Sequence, residues 1–148
     1  MPVFRRLLHA TDFSPASRPA FSTALDLARD ARGELTIVHV ITPAVPMIGD
    51  GYVDPRVYEQ VEAAAREAAE RELDKLLKKA KQAGVRARGV LVTGVPHEQI
   101  VRAARSRRAQ LIVIGTHGRT GLARLFLGSV ASRVLAVAPS PVLTVRGR

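Results

Sequence analysis

The residues best placed to do chemistry in this chain of 148 residues stand at 115–129: Gly115, Gly118, Gly121 and the pair Gly128-Ser129, with His117 and Arg119 among them. Glycine admits positive φ and lets a ligand approach the backbone with no Cβ in the way. The four residues before Gly115, Leu-Ile-Val-Ile, form the short continuous apolar run of a parallel strand buried on both faces. The residues after Ser129, Val130-Ala131-Ser132-Arg133-Val134-Leu135, have helical spacing, so Ser129 is expected to act as N-cap or to offer its hydroxyl to an anion. Free amides and the helix dipole attract phosphate at such a start, and Arg119 and Arg124 would add positive charge. The pattern predicts a split anion cradle, a glycine loop on one side and a helix start on the other. The same glycines also serve an ordinary strand-to-helix turn, with Gly128 closing a short helical segment at 122–127. Spacing alone leaves both readings open. No Gly-Lys-Ser/Thr closes the loop and no Gly-x-Gly-x-x-Gly follows an early strand, so neither the common NTPase loop nor the dinucleotide fingerprint is present.

The elements that must position this loop are legible from periodicity. A first strand is expected over 4–10, and Ser14-Pro15 then supplies a cap with proline at the first helical position. The helix runs from Pro15 to about Ala31 with Ala20, Ala24, Leu27, Ala28 and Ala31 inward, and Gly33 ends it. A second strand covers 35–41. Residues 42–55, rich in Pro and Gly, read equally as a lid, a dimer contact or a plain loop. A long helix follows over 56–83, its inward side drawn by Val57, Val61, Ala64, Ala68, Leu73, Leu76, Leu77 and Ala80. A third strand at 85–92, a helix at 96–106 with Ile100, Val101 and Ala104 inward, a fourth strand at 110–114, the terminal helix and a fifth strand at 141–146 complete the chain. This alternation predicts an open, doubly wound α/β domain of Rossmann-like type, with five mainly parallel strands and helices on both faces. Ligands in such sheets lie at the strands' C-terminal ends, where Asp12, Val40-Ile41, Gly94 and Gly115 converge.

Length suits one domain over 1–148. The formal charge of +10 is uneven: residues 84–148 hold 11 basic residues and one acid, Glu98. That places the positive field in the part of the chain that carries the glycine loop. Four Phe and two Tyr, none interleaved with basic clusters, argue against a stacking platform and a specific nucleic-acid reader. The absence of cysteine excludes disulfides and thiolate metal sites. No apolar run approaches membrane-spanning length and the N-terminus lacks a secretory pattern, so a cytoplasmic protein is expected.

The spacing Gly-x2-Gly-x9-Gly-Ser, met by Gly115, Gly118 and Gly128-Ser129, together with A10-T-D-F-S14, V92-T-G-V-P96, G128-S-V130 and P141-V-L-T-V-R146, resembles the universal stress protein family along essentially the whole chain. The intact glycine pattern resembles its ATP-binding branch. The resemblance implies a doubly wound domain that binds ATP or another adenine nucleotide and commonly dimerises. It implies that Asp12 and Val40 help hold adenine or ribose, with Ala10, Thr11 and Ile114 also among the nucleotide-binding residues. Gly115, Thr116, His117, Gly118 and Arg119 would approach ribose and phosphates, and Gly128, Ser129 and Val130 would present amides or hydroxyl to the phosphates. Mg2+ would ride on those phosphates, since Glu98 is the lone acid beyond residue 83 and no carboxylate pair is available. Asp12 can accept from a purine amine, a ribose hydroxyl or a backbone amide, or anchor the turn before the first helix.

His117 has no sequence-local acid to orient it, which favours ligand contact or loop packing over proton transfer. His9 and His39, near the ends of two strands, read as satisfied interior histidines, because no third metal ligand has convincing spacing. His97 falls in the first turn of its helix. The expected function is an ATP-binding stress-response or regulatory protein, a nucleotide-dependent conformational or oligomeric switch with no assigned catalytic residue and at most slow hydrolysis. The alternative is a basic nucleic-acid- or protein-binding adaptor indifferent to nucleotide. The final strand is expected to pair with its copy in a homodimer.

Overall fold

Strands made of continuous apolar runs need cover on both faces, and the chain supplies it by alternating strand and helix. The computed structural model describes residues 3–43, 54–117 and 127–147. Its strands are β1 (Arg6–Ala10), β2 (Glu34–Ile41), β3 (Arg86–Thr93), β4 (Leu111–Gly115) and β5 (Val142–Val145). Its helices are α1 (Arg18–Asp30), α2 (Pro55–Gln82), α3 (Pro96–Ser106) and α4 (Ser129–Val137), and one 3-10 turn, Pro15–Ser17, leads into α1. The sheet order is β3-β2-β1-β4-β5, and every neighbouring pair is parallel. The order reverses at β1, which lies between β2 and β4.

Alternation along the strands divides the core into two layers. Leu7, Leu35, Ile37, Leu111 and Val113 face α1 and α2, where they meet Ala20, Phe21, Ala24, Ala28, Leu73 and Ala80. Leu8, Ala10, Val38, Ile112 and Ile114 face α3 and α4, where they meet Ile100, Ala103, Ala104, Ala131 and Val134. The expected stripe of α1 holds at Ala20, Ala24 and Ala28 and gains Phe21, while Leu27 and Ala31 are only half-buried. Small residues on α1 let the helix lie close to the sheet, and Phe21 fills the space this leaves beside His9, their rings 5.8 Å apart.

The expected inward side of α2 needs correction. Its C-terminal half packs through Ala69, Leu73 and Ala80, but Val57, Val61, Ala64 and Ala68 are exposed. The reason is length. A helix of 28 residues extends about 42 Å, whereas the eight-residue strands β2 and β3 extend about 26 Å. The first half of α2 has no sheet beneath it and projects past the strands' C-terminal ends.

Three helix-to-strand junctions share one turn, in which a residue in the left-handed region reverses the chain: Arg32, Gly84 and Arg108, with φ of 51°, 75° and 51°. Gly33, expected to end α1, follows this residue and has a different task. A Cβ at Gly33 would strike the carbonyl oxygen of Arg5, to which Glu34 N donates at 2.7 Å. Gly33→Ala is therefore expected to lower stability by about 2 kcal/mol through overpacking against backbone, measured as a shift of the urea midpoint at unchanged m-value.

Candidate functional site

At the C-terminal ends of the strands a cavity of about 650 Å3 opens, within the size range of small-molecule sites. Its floor is built by Ala10 at the end of β1 and Thr11 after it, Val38–Val40 of β2, and Ile114 and Gly115 of β4; Ala65, Ala68, Ala69 and Glu72 of α2 form one wall. Pro96 and Ile100 of α3, with Gly128–Ala131 at the start of α4, form the other. Of the thirteen site residues expected from sequence, Ala10, Thr11, Asp12, Val40, Ile114, Gly115, Thr116, His117, Gly128, Ser129 and Val130 all line this cavity. Gly118 and Arg119 lie outside the described residues, as do Gly121, Arg124, most of the segment 122–127 and the segment 44–53.

The loop after β1 is held in shape by its own polar groups. Asp12 Oδ1 accepts from the amide of Ser14 at 2.9 Å, and Thr11 Oγ1 accepts from the amide of Phe13 at 3.0 Å. The hydroxyls of Thr11 and Ser17 are 3.2 Å apart, and Ser17 donates to the Ser14 carbonyl at 2.8 Å. These bonds hold Phe13 in the left-handed region, at φ 63°. Its ring lies 4.3 Å from that of His39. His39 Nδ1 donates to the Thr11 carbonyl at 2.8 Å. Asp12 thus carries out the turn-anchoring role while its carboxylate borders the cavity. Ser14 precedes the 3-10 turn, as expected of a cap residue, but its side chain makes no capping bond.

The facing half of the site joins β4 to α4. Thr116 N donates to the Val145 carbonyl at 2.9 Å, and the Thr116 carbonyl accepts from Gly128 N at 2.6 Å. A Cβ on Gly128 would sit 2.9 Å from that carbonyl oxygen. Gly128, with extended backbone, is the N-cap; Ser129 is the first helical residue, and no side chain caps this end. The expectation that Ser129 caps α4 is therefore corrected by one position, because Gly128 must stay extended to meet Thr116. His117 Nδ1 lies 2.8 Å from Thr116 Oγ1, which gives the imidazole a hydroxyl neighbour.

His9 and His39 are both buried and both bond backbone carbonyls, His9 Nδ1 donating to Val113 at 3.0 Å. Burial drives the pKa of His9 down to about 4, against smaller opposing effects of the Val113 bond and the Asp12 charge. Among the described residues, no group of three or more His, Asp or Glu side chains is placed to hold a metal ion, and no helix is long and apolar enough to cross a membrane.

Sequence reasoning missed Phe13, His39, Glu72 and the alanines of α2. The alternation of β2 pointed to His39, but the α2 wall had no signal, since an apolar helical stripe looks alike whether it meets a sheet or lines a cavity. Arg119 and Arg124, expected to add positive charge beside the loop, lie outside the described residues. Among the described residues no Lys or Arg lines the cavity; its charged side chains are Asp12 and Glu72.

A parallel doubly wound sheet with a cleft where its strand order reverses defines a Rossmann-like α/β domain. A family model for the universal stress protein family matches residues 4–146, and the chain belongs to that family. It is 34% identical over 146 residues to universal stress protein MJ0531 of Methanocaldococcus jannaschii, covering 97% of this chain and 83% of the relative. It is 32% identical over 148 residues to YxiE of Bacillus subtilis, covering 97% and 100%. The solved structure of MJ0577, from M. jannaschii, superposes with a TM-score of 0.82 at 26% identity over 99% of both chains. A universal stress protein solved in complex with cAMP shares the fold at TM-score 0.73 and 23% identity, over 98% of both chains. One from Archaeoglobus fulgidus in complex with dAMP does so at 0.67 and 23%, over 98% of this chain and all of that one.

Proposed function

We propose that this chain binds ATP, or another adenine nucleotide, in the cavity at the strands' C-terminal edge, and acts as a nucleotide-responsive stress or regulatory protein. The observation that carries this reading is the meeting of Gly128 with Thr116. A side chain is excluded there, directly before a helix start whose amides suit phosphate. The cavity's charge supports the orientation. Asp12 and Glu72 would repel phosphates and suit the ribose hydroxyls or purine amine. The phosphates then belong at Gly115, Thr116, Gly128, Ser129 and Val130, with Gly118 and Arg119 assigned there by the family resemblance. Val40 and Ile114 supply apolar contact. The cAMP and dAMP complexes of two proteins of this fold agree with an adenine ligand.

Mg2+ would arrive on the phosphates, with Ser129 and water as neighbours, rather than occupy a preformed protein site. His117 stands beside the hydroxyl of Thr116 and is read as a ligand contact rather than a general base, with at most slow hydrolysis. A switch follows only if nucleotide prefers one conformer or assembly. The edge strand β5, which exposes Leu143, is the surface we assign to a homodimer, in a cytoplasmic protein of one domain.

Calorimetric titration with ATP, AMP and a nonhydrolysable ATP analogue tests this reading, on protein freed of retained nucleotide. ATP is expected to bind. Asp12→Ala is expected to weaken binding about tenfold, the loss of one charge-assisted hydrogen bond. No heat with any adenine nucleotide would overturn the assignment and leave the fold standing.

A further inference from the structure

Among the described residues, six arginines gather at the edge of the sheet opposite the cavity. The α1–β2 turn presents Arg32, Arg5 precedes β1 and Arg6 opens it, the α3–β4 turn presents Arg107 and Arg108, and β3 opens with Arg86; all are exposed. Strands β3, β2, β1 and β4 are consecutive in the sheet. The register sets Arg6 and Arg86 on either side of Glu34, and Arg32 and Arg108 stand in the turns that precede β2 and β4, so the cations span four strands, about 14 Å, with the one carboxylate of Glu34 among them. The backbone beneath the central three is tied together. Arg5 N and Arg6 N donate to Gln110 Oε1 at 2.9 and 3.1 Å, Arg6 Nε donates to the Arg108 carbonyl at 2.9 Å, and the Arg5 and Arg6 carbonyls accept from Glu34 N and Gln110 N at 2.7 Å each.

Helix dipoles explain cations in the last turns of α1, α2 and α3, such as Arg29, Lys79 and Arg105. They do not explain Arg5, Arg6 and Arg86 at strand starts. Arg32 and Arg108, directly after the C-caps of α1 and α3, are within reach of those dipoles, yet both adopt the left-handed conformation, where the third such turn has Gly84 and an L-residue is disfavoured. The acids nearest in sequence are Asp30, which lies 3.9 Å from Arg29, and the half-buried Glu34.

We propose that this row binds the phosphate backbone of a nucleic acid without reading its sequence. A line of cations fits a polymer of phosphates, and guanidinium forks suit phosphate oxygens. A protein partner would call for an apolar centre to the patch, yet of the exposed large apolar side chains only Val3 adjoins it in sequence. Phe4 is half-buried against the core rather than offered to a base. The surface lies across the sheet from the nucleotide cavity and does not depend on it.

The test is fluorescence anisotropy of a labelled uridine 20-mer RNA and a 20-base-pair DNA duplex, titrated across salt concentrations. Arg32→Gly with Arg108→Gly relieves the strained turns, so the fold should be kept. Wild-type binding is expected, and the double variant should lower the slope of log K against log salt by about 1.4 for the single strand and about 1.8 for the duplex. Its ATP titration should be unchanged. Arg86→Ala, outside those turns, should lower the slope by about 0.7 or 0.9, and it keeps the test decisive if the double variant does not fold. Three results would overturn the proposal: no binding of either polymer at low salt, an unchanged slope in the folded variants, or equal competition by polyglutamate, which would indicate an acidic protein partner.

Discussion

Between pH 6.5 and pH 4 the protein is expected to lose about 3 kcal/mol of folding stability through His9 alone. The side chain is wholly buried in the central strand, where Nδ1 donates to Val113 and Nε2 has no hydrogen-bond partner. Protonation would put a charge on Nε2 in an apolar setting beside Phe21. Burial therefore lowers the native pKa from 6.5 to about 4. In the interval between those values the unfolded chain binds a proton that the native chain refuses, so stability rises with pH. The contribution is complete above the unfolded value, declines as pH falls, and is lost below the native value. Urea titrations at half-unit pH steps measure the slope. His9→Leu should flatten this interval, while also giving up the bond to Val113 at every pH. A slope unchanged by the substitution would show that His9 does not carry the effect.

The second large effect is expected at Gly128. Gly128→Val should weaken ATP binding by at least about 100-fold, or about 2.7 kcal/mol, with the fold kept as judged by far-UV circular dichroism. The new Cβ would lie 2.9 Å from the Thr116 carbonyl oxygen, so the segments after β4 and before α4 must part and the amides of the cradle move with them. Positioning is the whole contribution of such a site, and a displacement of an ångström is costly. Because Thr116 and Gly128 stand beyond the strand end, the two core layers should tolerate the shift. Equal ATP affinity in a folded Gly128→Val protein would sink the cradle geometry. Gly115→Ala is a useful contrast, since a Cβ there meets nothing nearer than 3.5 Å.

Much of this site was legible because it sits where strands end, and strand ends are marked by abrupt changes of residue type. Ala10-Thr11-Asp12 and Ile114-Gly115-Thr116 each pass from apolar to polar within two residues, which located both halves of the floor. Periodicity served equally well for α3, whose Ile100, Val101 and Ala104 are all buried. It failed on α2. Val57 and Val61 repeat as regularly as Leu73 and Ala80, but periodicity reports which residues share a face and not whether anything lies opposite it. Charge counted along the chain is equally blind to the fold: each helix crossover carries the chain back to the far edge, so Arg107 and Arg108 are near Gly115 in sequence and across the sheet from it in space. Phe21 escaped because an alanine stripe already accounted for its helix.

The unsupported half of α2 separates what the molecule needs in order to fold from what it presents to a ligand. Ala65 and Ala68 border the cavity on helical turns that contribute little to either core layer, so enlarging or charging them alters the shape of the site at small expense to folding. A domain built this way can change what it recognises by surface substitutions on one helix, while the strand ends opposite keep their geometry. Selectivity is thereby open to variation independently of stability.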